Sequence, residues 1–374
     1  MIGRLAKQLV PIWGGIVRLA TRLPGERSLA ADDADRIAAI RGSIIRIGDA
    51  WRARHPWLAS NQDQIGLAIF LVAIAGVIAD ACLYAADLLP WWATIPLSGF
   101  WLSLLHELEH DLIHAMYFRT NRFMHNLMML GVWLFRSNTI NPWVRRRLHL
   151  HHHEFSGTES DLEERALTNG EGWGPYRLVS LLDAFVGLYA KPFRMLRLVD
   201  SYVGQAARTP TEARHLATIN KLAIFPLSAV HYGLWHLFLV IHACQLFVGP
   251  IHVPGQGALD FLAVVILAPN LVRTFCLYFV SSNMHYFGDV EPRNVLQQTQ
   301  VWTAMWLKPF HAFCFNFGET HAIHHFLVRD PFYIRELIKR DCQDVLRREG
   351  VRFNDFGTFR RANRFALAPA VAEG

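Results

Sequence analysis

Apolar positions gather into four long runs, with charged and polar residues collected between them. The first run covers about 65–89 and is broken only by Asp80 and Asp87. The second, about 91–114, starts at Trp91-Trp92 and leads through Leu105 into a histidine-rich end; the third and fourth cover about 222–248 and 259–282. A helix needs about 20 apolar residues to cross a bilayer, and each run nearly supplies them. Two shorter apolar stretches, 127–135 and 178–190, are too short to span and read as interfacial. The pattern predicts an all-α integral membrane fold: four transmembrane helices in two hairpins, with a cytosolic helical cap.

Charge sets the orientation. The connections 87–90 and 249–257 contain no Lys or Arg, whereas basic residues crowd 1–64, 115–221 and the chain after 283. The positive-inside rule places both termini and the inserts 115–221 and 283–340 in the cytosol, in a bacterial inner membrane or its equivalent. The expected organisation is a cytosolic segment 1–64, a membrane domain 65–340 and a cytosolic tail 341–374. The first thirty residues read as a basic amphipathic stretch on the membrane or a mobile tail, and the chain beyond Phe365 reads as disordered. Asp80 and Arg273 fall inside spans, where each would cost about 3 kcal/mol at mid-bilayer. A mutual ion pair and snorkelling to the interface both relieve that cost.

Composition narrows the class. Apolar residues make up 52% of the 374, which favours a polytopic membrane protein over two soluble domains. The net charge of +6 suits cytosolic loops beside anionic lipid, and no base-reading motif points to nucleic acid. The five cysteines include no C-x-x-C, so neither a disulfide framework nor an iron–sulfur or rubredoxin-like site is encoded.

The chemistry lies in the histidines. His106-Glu107-Leu108-Glu109-His110 is H-x-x-x-H; 149–153 and 321–325 each contain H-x-x-H-H. On a helix, residues three and four apart share a face, so each cluster aims imidazoles at one spot. Imidazole ligates iron, zinc, copper and nickel, and these eight histidines (His106, His110, His149, His152, His153, His321, His324 and His325) exceed the four positions of one zinc site. Two metal ions are implied. His114, His125, His151 and His311 read as surface, supporting or packing residues. Arg145, Arg146 and Arg147 precede the second cluster and read as a headgroup-binding trio or as membrane anchors.

With box one closing a span and boxes two and three on cytosolic inserts, residues 65–340 resemble the membrane-bound fatty acid desaturase/hydroxylase superfamily. That resemblance implies two irons held by His106, His110, His149, His152, His153, His321, His324 and His325, and by His285 in Asn283-Met284-His285, which follows the fourth span. These nine would act catalytically through the metals. Asp161, Asp289 and Glu319 are the expected hydrogen-bond partners of ligating imidazoles, while Glu163 and Glu164 read as solvated. His114 departs from the pattern, as an added ligand or a solvent-facing residue, and His151 is an odd residue within the second box. The implied enzyme is a non-haem di-iron oxidoreductase that uses O2 to remove hydrogen from an unactivated C–H bond of a fatty acyl chain. Desaturation is the favoured outcome, with hydroxylation or oxidative decarboxylation to a terminal alkene as alternatives. The chain carries no His-Pro-Gly-Gly haem module and no iron–sulfur cysteines, so electrons are expected from a ferredoxin, rubredoxin or cytochrome b5-type donor with its reductase.

Two rivals come from other classes. His106–His110 also matches H-E-x-x-H, with Glu107 as the base of an intramembrane zinc protease. His231, His236 and His242 in the third run admit a haem protein or metal transporter, although transport sites belong near the midplane.

Overall fold

The computed structural model describes residues 31–182, 185 and 192–366, which form helices and connecting turns. Among them no strand forms; two isolated bridges, His285–Thr299 and Val301–Phe353, tie loops together. The first thirty residues, most of 183–191 and the end of the chain lie outside the described residues. The expectations of an amphipathic N-terminal stretch, of much of the 178–190 interfacial segment and of a disordered tail fall there.

The principal helices are α1 (Ala31–Arg54), α2 (Gln62–Ala85), α3 (Trp91–Ile113), α4 (Arg122–Phe135) and α5 (Pro142–Phe155). They continue with α6 (Leu227–Val248), α7 (Gln256–Met284), α8 (Phe317–Phe326) and α9 (Phe332–Arg348). Three of them, α2, α6 and α7, are long and apolar enough to cross a membrane. Their outer faces carry exposed apolar side chains such as Leu71, Ile78, Val240 and Phe247. Helix α3 is 23 residues long, and its last turns carry Glu107, Glu109 and Asp111.

Local chemistry sets the helix ends. Asn121 and Asn141 cap α4 and α5, accepting from Met124 N at 3.1 Å and Trp143 N at 3.0 Å, and Pro142 sits in the first turn of α5, where its missing N–H costs nothing. Helix α7 passes through a π turn at Ala263–Leu267 just before Pro269.

Two apolar cores flank the histidines. In one, Phe70 and Val77 of α2 meet Leu102, Leu105, Leu108 and Leu112 of α3 and Met128 and Val132 of α4. A Cβ at Gly76 would lie 2.4 Å from the Trp101 ring, so the close approach of α2 to α3 requires glycine there. In the other, Ile40 and Ile44 of α1 pack on Ile323 of α8 and on Ile334, Ile338 and Leu346 of α9. Residues 341–366 belong to this folded body: Val351, Thr358 and Asn363 are all buried.

Asp80 and Arg273 do not pair. Ser98 Oγ donates to Asp80 Oδ2 at 3.2 Å, and Arg273 Nη2 donates to Asn138 Oδ1 at 3.2 Å and Thr274 Oγ1 at 3.0 Å. Both are buried, Asp80 between α2 and α3 and Arg273 on the inner face of α7. Short polar partners replace the expected ion pair.

Candidate metal centre

The histidines converge into two adjoining groups. One contains His110, His114, His149, His153 and His324; the other contains His152, His285, His321 and His325, with one ligand atom of each residue within 4.8 Å of the others in its group. Each H-x-x-H-H box serves both groups. Successive helical residues diverge by about 100°, whereas residues four apart nearly align. Box two on α5 therefore gives His149 and His153 to the first group and His152 to the second. Box three on α8 does the reverse, giving His321 and His325 to the second and His324 to the first.

Carboxylates and carbonyls hold the outer ring nitrogens. Glu163 Oε2 lies 2.8 Å from His149 Nδ1, and Asp161 Oδ2 lies 2.9 Å from His152 Nδ1. Ser281 O lies 2.8 Å from His285 Nδ1, and Gln298 Oε1 lies 3.4 Å from His325 Nδ1. With Nδ1 donating outward, each Nε2 turns its lone pair inward. Asp161 also caps the turn Leu162–Arg165 through Glu164 N at 3.3 Å, so one short turn delivers Asp161, Glu163 and Glu164 together.

The inward nitrogens crowd one another. His149 and His153 Nε2 are 3.1 Å apart, His153 and His324 3.0 Å, His152 and His325 3.2 Å, and His321 and His325 2.9 Å. Nitrogens bound about 2.1 Å from one metal at angles of about 90–110° stand about 3.0–3.4 Å apart. Burial, followed by the neighbouring imidazoles, pushes His153, His321 and His325 well below the usual histidine range and so keeps them neutral, each with a free lone pair. Burial alone would lower His152 as well, but Asp161 more than offsets it and raises His152 to about 9. A set of converging imidazoles, backed by carboxylate and carbonyl oxygens, fits transition metal in both groups once His152 gives up its proton on metal binding.

Several expected residues lie elsewhere. His106, one turn before His110, is outside both groups; its Nδ1 accepts from Arg136 Nη2 at 3.0 Å. His114 takes part in the first group instead, its Nε2 3.0 Å from that of His324. The spacing that marked His106 and His110 recurs in His110-Asp111-Leu112-Ile113-His114, and this second register was the available signal. His151 turns away, bonding Ser160 Oγ at 3.0 Å and stacking on Phe155. Asp289 accepts from Phe365 N and Ala366 N, and Glu319 pairs with Lys308 and Lys339; neither bonds a histidine among the described residues. Glu163 and Glu164 are not solvated surface groups. Glu163 backs His149, while Glu164 is buried 3.6 Å from His285 Nδ1 and accepts from Ser281 Oγ at 2.6 Å. Burial raises Glu164 to about 8.

Ion pairs fix the polar end of α3. Glu109 meets Arg136 on one side and Arg145 Nη1, at 3.1 Å, on the other. Arg145 also reaches Glu163 at 3.2 Å, so it ties α3 to the carboxylate behind His149; Arg146 is half-buried and Arg147 exposed. On another face, Arg335 of α9 bridges Glu107 at 3.4 Å and Asp111 at 3.1 Å. A cavity of about 690 Å³ opens beside the histidines, bounded by His106, His110, His149, His152 and His321 and by apolar side chains of α5, α7 and the 195–199 segment. That volume is ordinary for a small-molecule site.

The sequence model of fatty acid desaturases matches residues 86–357, well over half of the chain and inclusive of both histidine groups. The chain belongs to the fatty acid desaturase family. As a member, it is an oxidoreductase of fatty acyl chains, of the desaturase or hydroxylase type. No curated protein matches the chain.

Proposed function

We propose that this family member holds two iron ions, one in each histidine group, and uses O2 to desaturate an acyl chain. The observation that carries this reading is the pairing of two adjoining, buried imidazole clusters with a largely apolar cavity at their edge. The first iron would be held by His110, His114, His149, His153 and His324, the second by His152, His285, His321 and His325. Bound there, iron supplies the redox chemistry that activates O2. The balance is simple. The acyl chain gives up two hydrogens, a donor protein supplies two electrons, and with two protons O2 leaves as two waters.

The protein's own residues bind and orient. Asp161 and Glu163 fix the ring angles of His152 and His149, and the apolar cavity walls hold a chain beside the centre and keep water away. α2, α3, α6 and α7 would form two membrane hairpins, with the basic inserts and the donor's docking face on the cytosolic side. Two features weigh against the hydrolytic reading. Glu107 pairs with Arg335, and His106 lies outside both groups, so the H-E-x-x-H pair does not converge on one ion.

The test is analysis of total lipids and headspace by gas chromatography–mass spectrometry, from a host expressing the chain with a reductase system. The His152→Ala variant is the blank. A new double bond that vanishes with His152→Ala, along with loss of bound iron, is expected; His125→Ala should leave both nearly intact. A hydroxylated chain or a volatile terminal alkene would keep the metal centre and overturn desaturation as its outcome.

A further inference from the structure

Arg273 is the one guanidinium of the cavity's arginine cluster without a carboxylate among the described residues. Arg136, Arg145 and Arg273 all line the cavity. Glu109 is shared by Arg136 and Arg145, and Glu163 by Arg145 and His149; Glu164, the other carboxylate of the lining, accepts from Ser281 Oγ and makes no ion pair with Arg273. Arg273 is fully buried, and among the described residues its hydrogen bonds, both from Nη2, go to the uncharged Asn138 and Thr274. Its Nε and Nη1 have no hydrogen-bond partner among the described residues. Asn138 is itself fixed, donating to Thr274 Oγ1 at 2.8 Å and to Asn270 O at 3.3 Å, so the guanidinium is held in one place.

A buried cation without a counter-charge is costly, and a fold keeps one where a ligand completes it. The missing partner must be anionic, able to accept from Nε and Nη1, and attached to something that fits apolar walls. We propose that Arg273 binds the carboxylate of an unesterified fatty acid, so that the substrate is the free acid rather than a thioester or a phospholipid. This rests on the acyl-chain reading above and narrows it to one substrate class. A thioester carbonyl would bring a hydrogen-bond acceptor but no charge, leaving the arginine uncompensated.

The experiment measures binding and turnover of palmitate, its methyl ester and its coenzyme A thioester by the full-length, metal-loaded protein in detergent or native membranes. Wild-type protein should bind palmitate at least about tenfold more tightly than the methyl ester, because only the acid offers a charge-assisted contact. Arg273→Gln should remove that preference by weakening palmitate binding far more than methyl ester binding, and Arg273→Lys should restore part of it. Equal or tighter binding of the ester or thioester by wild-type protein would overturn the proposal, and that result needs no variant to fold. So would a preference that survives Arg273→Gln. Palmitate binding that depends on Arg273 without any oxidised product would uphold the carboxylate site and refute the proposed function instead.

Discussion

His152 Nδ1 lies 2.9 Å from Asp161 Oδ2, both side chains are buried, and His152 belongs to a different histidine group from its chain neighbour His153. The contact holds the ring so that Nε2 meets His325 Nε2 at 3.2 Å. Partners of this kind typically contribute 10–100-fold to metal affinity. Asp161→Asn should therefore weaken iron binding by about that factor, measured by metal titration of the apoprotein against a chelator. Unaltered affinity would mean that packing alone orients His152.

The two registers of the first box separate cleanly. His114→Ala should lower bound iron, whereas His106→Ala should leave metal content close to wild type, because His106 Nδ1 accepts from Arg136 and its ring belongs to neither group. Metal content by mass spectrometry decides between them. Loss of iron from His106→Ala with full retention in His114→Ala would return the first box to the earlier register.

Much of this centre was legible in the chain, for a physical reason. Both H-x-x-H-H boxes and His285 lie on or at the ends of helices, where spacing alone dictates which rings share a face, and α2, α6 and α7 are marked by long, largely apolar runs. The register of box one was not legible, since His106, His110 and His114 repeat one spacing. Which pair converges depends on the rotation of α3, set by Leu105, Leu108 and Leu112 packing against α2 and α4. Long-range partners were hidden in the same way. Glu163 reaches back to His149, Arg335 to Glu107 and Asp111, and Asn138 to Arg273, and no local pattern announces any of these contacts.

Arg335 joins α9 to the polar end of α3, bridging Glu107 and Asp111 while fully buried. Asp111 Oδ2 also accepts from Phe332 N at 2.8 Å and Tyr117 Oη at 3.0 Å, so the cluster locks three segments. Removing one member of a buried ion cluster leaves uncompensated charge and costs about 3–5 kcal/mol. Arg335→Met should lower the thermal midpoint of the detergent-solubilised protein markedly. Replacement with no change in midpoint would show that the carboxylates find other partners.

His311 should give the protein an acid limit separate from the histidine groups. The side chain is buried beneath α7, where a Cβ at Gly318 would lie 2.5 Å from its ring, and burial, partly opposed by Glu319, pushes it down to about 4. The unfolded chain protonates the same imidazole near 6.5. Between those values the unfolded state binds more protons, so stability rises with pH there. The contribution is fully present above about 6.5 and is lost as pH falls toward 4, amounting to about 2–3 kcal/mol at pH near 4.5. His311→Leu cannot take up that proton. The metal-free variant should therefore lose less stability between pH 7 and 4.5 than metal-free wild type, measured as thermal midpoints in the same detergent. Parallel losses in the two proteins would assign the acid limit to other groups.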